Sequence, residues 1–402
     1  MEGIKRQESI SQEAGQWRTI RLSEAMFCLC LFSIFLPLKI YPVVLIVSSY
    51  IFFRETEKFS IQKWMVFLVI YSLYAVGSFA MVYNGESFML TNLVKLLVNF
   101  AFLYFAVSWL RDRDNSNLLK VVDFTLGIIF FLVFAQLLVY HQALDFKLLY
   151  GSSSSGQASS LYNKALYFWG LDDKNMFGAR IAMLGLPFIL IPVVRHNKIS
   201  WWRICGIFLL AFLSLSRTPI VALMIGVFLL IWFSIGVRWR IILVFSMGLI
   251  LPFISEKLIR VDSLTASNDG MGIRLVYWKA FFNNFSDISV FGNGFMKAPE
   301  FLRQHAEFYR GEPHIHNTFL TSYLELGVIG VISYLLFLFY FYRDCVQMET
   351  SQKFWMMVFI PILAIMMILY SGYDNDIVMY LTLSVLLGSL GVINFKTIRM
   401  GI

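Results

Sequence analysis

The sequence predicts an all-α polytopic membrane protein with about twelve transmembrane helices. Three observations carry that expectation. Hydrophobic residues make up 58% of the chain and charged residues only 14%, against roughly a quarter charged in ordinary soluble domains. Apolar runs recur along the whole chain, and a helix needs about 20 such residues to cross a bilayer. Short polar breaks separate the runs, not the long alternating segments of a porin-type barrel, so helices are the expected way to satisfy the backbone in hydrocarbon.

Residues 1–24 form a polar tail with Lys5, Arg6, Arg18 and Arg21. No cleavage pattern follows the first apolar stretch, so the tail is expected to be retained in the cytoplasm. Nine spans are expected across residues 25–254, near 25–38, 40–53, 63–83, 88–110, 120–140, 176–194, 201–216, 219–236 and 240–254. The first two are short and read as a shallow or tilted hairpin around Pro37, Lys39 and Pro42. An outer loop, 141–175, contains the low-complexity run Gly151–Gly156. A second long outer segment, 255–317, forms a cap, and residues 318–402 hold three more spans, near 318–341, 354–371 and 375–394, before a cytoplasmic C-terminus. Cys28, Cys30, Cys205 and Cys345 have neither metal-ligand spacing nor an outer-loop position, so disulfides and structural zinc are not expected.

Loop charge orients the spans. With the N-terminus inside, the inner segments carry Arg54, Lys58, Lys63, Arg111, Arg113, Lys120, Arg195, Lys198, Arg203, Arg238 and Arg240, then Arg343, Lys353, Lys396 and Arg399. The short outer breaks hold only Lys39 and Arg217. That is the asymmetry of the positive-inside rule, and it accounts for most of the net charge of +8 without nucleic-acid binding. In the cap, Leu275, Trp278, Phe282 and Phe285 recur at helical spacing, so Ile273–Phe285 is expected to be an amphipathic helix on the membrane surface or over a cleft between spans. Gly292-Asn293-Gly294 follows as a turn.

Cations that the charge rule leaves unexplained are the candidate site residues. Arg217 occupies a tight outer turn, with Thr218 as the expected cap of the next helix and Pro219 at its first position. There it either binds an anion at a helix N-terminus or snorkels to lipid head groups. Arg180, a turn inside its span, is either a functional residue facing a cavity or the partner of Asp172, Asp173 or another outer acid. Lys95 lies deeper and reads as a buried structural pair. Arg274 opens the cap helix and gains meaning only if the cap folds it toward Arg217 and His316, where several arginines would suit a diphosphate. His316 begins the 318–341 run, at a boundary where an imidazole can take a proton from a hydroxyl. His314 is an alternative base or orienting partner, and Asn317 caps the helix or orients a substrate. A metal at the histidines is disfavoured for want of accompanying cysteines or acids. Asp374-Asn375-Asp376 is either a cation site or, more commonly for such a sequence, a solvated helix-end turn.

His316-Asn317, nine residues, then Gly327-Val328-Ile329-Gly330 resembles the His-Asn-x9-Gly-x-x-Gly signature of bacterial O-antigen ligases and related O-antigen polymerases. The Ser216-Arg217 turn and the Gly272-Ile273-Arg274 helix start, followed by Trp278 and Gly292-Asn293-Gly294, are also similar to that superfamily. The resemblance implies a GT-C-type membrane glycosyltransferase with a periplasmic cap of short helices. It implies a metal-independent, inverting enzyme without a cofactor, in the bacterial inner membrane. The implied donor is a glycan on undecaprenyl diphosphate. The implied acceptor is a sugar hydroxyl of lipid A-core for a ligase, or a second lipid-linked repeat unit for a polymerase. Arg217 and Arg274 match arginines proposed to hold the diphosphate, and His316 the histidine proposed to activate the acceptor; Arg180 and His314 are added on physical grounds. The rival class is a lipid-linked sugar transporter, which predicts repeated halves and charged or broken helices near the midplane.

Overall fold

The computed structural model describes residues 20–36, 40–111, 113–143, 146, 174–254, 270–346, 352–390 and 393–401. The tail before Ile20, Pro37, Lys39, the Gly151–Gly156 run, Asp172, Asp173 and cap residues 255–269 lie outside the described residues.

In chain order the helices are α1 (Leu22–Phe35), α2 (Tyr41–Glu55), α3 (Lys63–Val82), α4 (Ser87–Arg111), α5 (Ser116–Gln142), α6 (Lys174–His196) and α7 (Trp201–Leu213). They continue with α8 (Thr218–Ser234), α9 (Val237–Ile254), α10 (Gly270–Asn283), α11 (Ala298–His305), α12 (Thr318–Val346), α13 (Gln352–Met366) and α14 (Asn375–Gly388). Each expected apolar run coincides with a helix, because a long apolar run without internal turn residues has no other way to satisfy its backbone in lipid. By length and composition α3, α4, α5, α6 and α12 can each cross a membrane, and α1, α7, α8, α13 and α14 are shorter apolar helices. The chain is a multi-pass membrane protein.

Burial follows hydrophobicity around each helix. All of α14 is buried, from Asn375 to Gly388, as befits a helix apolar nearly all round. By contrast, α3 packs one face on α12, antiparallel, with Trp64 on Phe341 and Tyr71 on Tyr334. Its other face leaves Leu73 and Met81 exposed. At the end away from the cap, Arg113 pairs with Glu24 at 2.7 Å, and Arg203 and Arg195 share Asp123 at 2.5 and 3.3 Å. There, too, β1 (Lys198–Ser200) runs parallel to β2 (Arg399–Gly401).

The cap has its own small core, in which Ile273, Tyr277 and Phe281 of α10 meet Phe301 and Leu302 of α11 and Leu324 of α12. The amphipathic helix is present, but its buried stripe is not the expected one. Leu275, Phe282 and Phe285 are exposed, and Ile273, Arg274, Tyr277 and Phe281 face inward. The segment is apolar on two faces, and α11 and α12 take the one that carries Arg274.

The 318–341 run is not one continuous helix. Gly327 has φ 60° and ψ −156°, a break inside α12 that only glycine adopts without strain. The break frees two helix carbonyls, and the turn at Gly292–Gly294 takes both. Asn293 N–H donates to Leu324 O at 2.7 Å and Gly294 N–H to Glu325 O at 3.1 Å, while Val328 N–H donates to Val290 O at 2.9 Å. A Cβ on Gly292 would strike the backbone of Glu325 and Gly327, and one on Gly327 the backbone at Val290–Gly292. The two glycine motifs are two halves of one joint.

Candidate active site

The site is built where the end of the cap meets α12. His316 stands just before that helix with φ 57°, a left-handed conformation uncommon outside glycine. Its neighbours hold it there. Asn317 Oδ1 accepts from the amides of Phe319 and Leu320, each at 3.0 Å, so Asn317 is the helix cap. Its Nδ2 donates to Met367 O at 3.1 Å, and Thr318 Oγ1 donates to Tyr370 O at 2.8 Å. His314 Nε2 lies 2.8 Å from Leu369 O, so it carries the proton there. The link between α13 and α14 is thus stitched to the start of α12.

The two imidazoles touch, with centroids 4.8 Å apart. On its other side His316 lies parallel to the ring of Tyr277, 6.2 Å away. The Tyr277 hydroxyl donates to the Glu312 carboxylate and accepts from Arg310 N–H at 3.2 Å, which fixes the ring that orients the histidine. His316 Nδ1 is enclosed and has no hydrogen-bond partner among the described residues. Burial above all, then His314 and Arg274, holds the His316 pKa well below the ordinary histidine value of 6.5. Burial also lowers His314, opposed by the charge of Asp374. The pair is therefore neutral at neutral pH, next to the buried guanidinium of Arg274, which is only 5% exposed. Neutral imidazole beside a cation can accept a proton, and the cation can hold an anion.

Beneath the histidines the Asp374–Asp376 turn is not a solvated one. Asp374 receives Lys95 at 2.5 Å, together with the amide and hydroxyl of Ser371, each at 2.9 Å. Asp376 receives Arg180 at 3.3 Å and the Tyr370 hydroxyl at 2.9 Å. Both carboxylates are nearly fully enclosed, and an enclosed charge requires a partner. Lys95 is thus the expected structural pair. Arg180 pairs with an acid from α14 and also donates to Ile34 O at 3.2 Å.

Arg217 occupies a different turn, between α7 and α8. It holds the N-cap position and helical residues begin at Thr218, so Thr218 is the first helical residue and not the cap; Pro219 sits in the first turn. Leu215 is left-handed at φ 58°. Ser214 Oγ donates to Ala211 O at 2.7 Å, Ser216 Oγ to Asn175 Oδ1 at 3.2 Å, and His141 Nε2 to Leu213 O at 2.9 Å. Gly178 of α6 packs against Ser214, Ser216 and Pro219. A turn so fully determined presents Arg217 from a rigid base.

The structure therefore brings His314, His316, Asn317 and Arg274 together. Arg180 belongs to the ion-pair layer beneath them, and Arg217 to the turn packed on α6. Tyr277 is not marked by the sequence as a site residue, although it had a signal: it lies three residues after Arg274 and so shares its helix face. Asp374 is marked only as part of a cation site or a solvated turn; its pairing with Lys95 had no signal, because the partners are far apart in the chain.

Residues 204–335 match the family described as O-antigen ligase. The matched stretch contains Arg217, Arg274, His314, His316 and Gly327, and it includes none of the four residues of the ion-pair layer, Lys95, Arg180, Asp374 and Asp376. No curated protein matches the chain.

Proposed function

We propose a function for this chain from the premise that residues 204–335 match the O-antigen ligase family. It transfers a glycan from undecaprenyl diphosphate to a sugar hydroxyl of lipid A-core, at the periplasmic face of the inner membrane, in lipopolysaccharide biosynthesis. Twelve crossings in a GT-C-type arrangement, with both termini cytoplasmic, give the cap its periplasmic position.

The observation that carries this reading is the pairing of half-buried, neutral His316, whose Nδ1 is enclosed, with buried Arg274 at the junction of cap and span. The acceptor hydroxyl gives its proton to His316, whose Nδ1 has no partner among the described residues. The hydroxyl oxygen forms a bond to the anomeric carbon from the face opposite the diphosphate, and the carbon–diphosphate oxygen bond breaks with inversion. Arg274 and Arg217 take the negative charge that develops on the leaving undecaprenyl diphosphate, aided by the free amides at the start of α8. No metal and no cofactor is needed in this scheme. His314 and Tyr277 position the base, and Asn317 positions the helix that carries it. Arg180 supports the site through Asp376.

The test is transfer by purified protein in a lipid bilayer, supplied with lipid-linked glycan and lipid A-core. Glycan appearing on the core, and its loss in a folded His316→Ala variant, is the expected result. An intact donor after incubation with active-site residues unchanged, or unaltered turnover by His316→Ala, overturns it.

A further inference from the structure

The loop Ser289–Gly294 connects α10 to α11, and nothing in the chemistry above uses it. Its sequence, Ser-Val-Phe-Gly-Asn-Gly, has no charged side chain. Val290 is 59% exposed and Phe291 67% exposed, although both are large and apolar. Its position along the bundle explains why.

The carbonyl of Phe291 accepts from the hydroxyl of Tyr74 at 2.8 Å, and Phe295 N–H donates to Ser78 Oγ at 2.9 Å. Tyr74 lies eight residues short of Val82, the last residue of α3, which is about 12 Å along a helix axis. Counting from the opposite end agrees. Val328, bonded to Val290, is sixteen residues from Asp344, so it lies about 24 Å from the charged end of a hydrocarbon layer about 30 Å thick. Both measures put the loop below the cap-side boundary of the span α3, not above it.

Backbone satisfaction points the same way. The amides of Ser289 and of every residue from Phe291 to Phe295 have partners inside the protein: Asn293 Oδ1, Ser289 Oγ, Ser289 O, Leu324 O, Glu325 O and Ser78 Oγ. An exposed loop in water has no need of so many internal partners, whereas irregular backbone at membrane depth has to find its partners within the protein. The flanking spans expose Leu73 and Ile332, so Val290 and Phe291 continue a lipid-facing surface.

We propose that Ser289–Gly294 is a re-entrant loop seated in the hydrocarbon of the leaflet at the cap end, with Val290 and Phe291 against lipid acyl chains. The cap is then anchored in the bilayer as well as on the helices, and the anchor and the Gly327 break are one structure. The assignment is independent of the reaction that the protein performs.

Depth measurement by spin labelling tests it. Nitroxides are placed at Phe291→Cys and, separately, Val290→Cys in the full chain carrying Cys205→Ser and Cys345→Ser, reconstituted in phospholipid vesicles. Leu73→Cys serves as the lipid reference and Gln304→Cys, on the exposed side of α11, as the water reference. Collision with oxygen should exceed collision with a water-soluble nickel chelate several-fold at 290 and 291, as at 73. A nickel-dominated profile like that at 304 would show the loop in water and overturn the proposal. Low accessibility to both reagents would mean that protein covers the patch, and would overturn it equally. Either labelled position suffices if the other variant does not fold.

Discussion

At the scale of single residues, the neutrality of His316 makes a pH prediction with a definite sign. Burial, His314 and Arg274 all lower its pKa, so in the free protein the acid limb of kcat/KM should fall below pH 6.5. A bound diphosphate adds negative charge and raises the same pKa, so the acid limb of kcat should lie higher than that of kcat/KM. A kcat/KM limb above 6.5 would refute a neutral base. The same depressed pKa contributes stability that is in place above pH 6.5 and is lost on acidification through the folded-state value. Arg274→Ala should raise the KM for the lipid-linked donor by at least about tenfold, and Arg274→Lys should not restore it, because a point charge cannot grip a diphosphate bidentately; steady-state kinetics over donor concentration measures both. His316 was legible in the sequence because it is a polar residue at a membrane boundary that composition does not explain; Arg274, an arginine in a polar loop, was legible only through its neighbours and the resemblance. Tyr277 was hidden by its aromatic neighbours, since a residue that both fills a core and orients a base looks like core.

At the scale of elements, the joint between the two glycine motifs should be the least tolerant part of the cap. Gly327→Ala and Gly292→Ala each force a side chain into a positive-φ backbone and into the opposite strand of the joint. Each should cost about 2 kcal/mol or more, seen as a lower midpoint of thermal unfolding in detergent, whereas Gly77→Ala, with open space around it, should be neutral or stabilising by up to about 1 kcal/mol. Equal effects at the three positions would show that the joint is unimportant. The Lys95–Asp374 pair makes a second element-scale prediction. Removing either partner should destabilise by about 3 kcal/mol, because the other charge is left enclosed. The double replacement Lys95→Met with Asp374→Asn should cost less than the sum, with a coupling above about 1 kcal/mol. The helices themselves were legible, since long apolar runs admit no other local structure. The break at Gly327 was not, because Gly-x-x-Gly fits a continuous helix pattern and its partner loop lies more than thirty residues upstream.

At the scale of the whole molecule, the proposed reaction predicts a phenotype. A null strain should accumulate long glycan on the carrier lipid and leave lipid A-core bare, as seen on gels of its lipopolysaccharide. Core capped with a single repeat unit would instead identify a polymerase. The sequence made membrane residence legible through composition, and its loop charges give the expected orientation. It marked Lys95 as a paired cation and Arg180 as either paired or functional but did not reveal their partners, because Lys95, Arg180, Asp374 and Asp376 come from three separate helices and one link, and pairing across such distances leaves no local pattern.

The short pairing of β1 with β2 has a consequence for how the chain is threaded. Two segments joined edge to edge lie on one side of a membrane, whichever side it is. The path from Ser200 to Arg399 must therefore return to where it started, and the number of crossings between them is even. With α7, α8, α9, α12, α13 and α14 on that path, no single helix among them can be withdrawn from the membrane without withdrawing a second. Three residues at each end of the path act as a parity check on the topology of half the molecule.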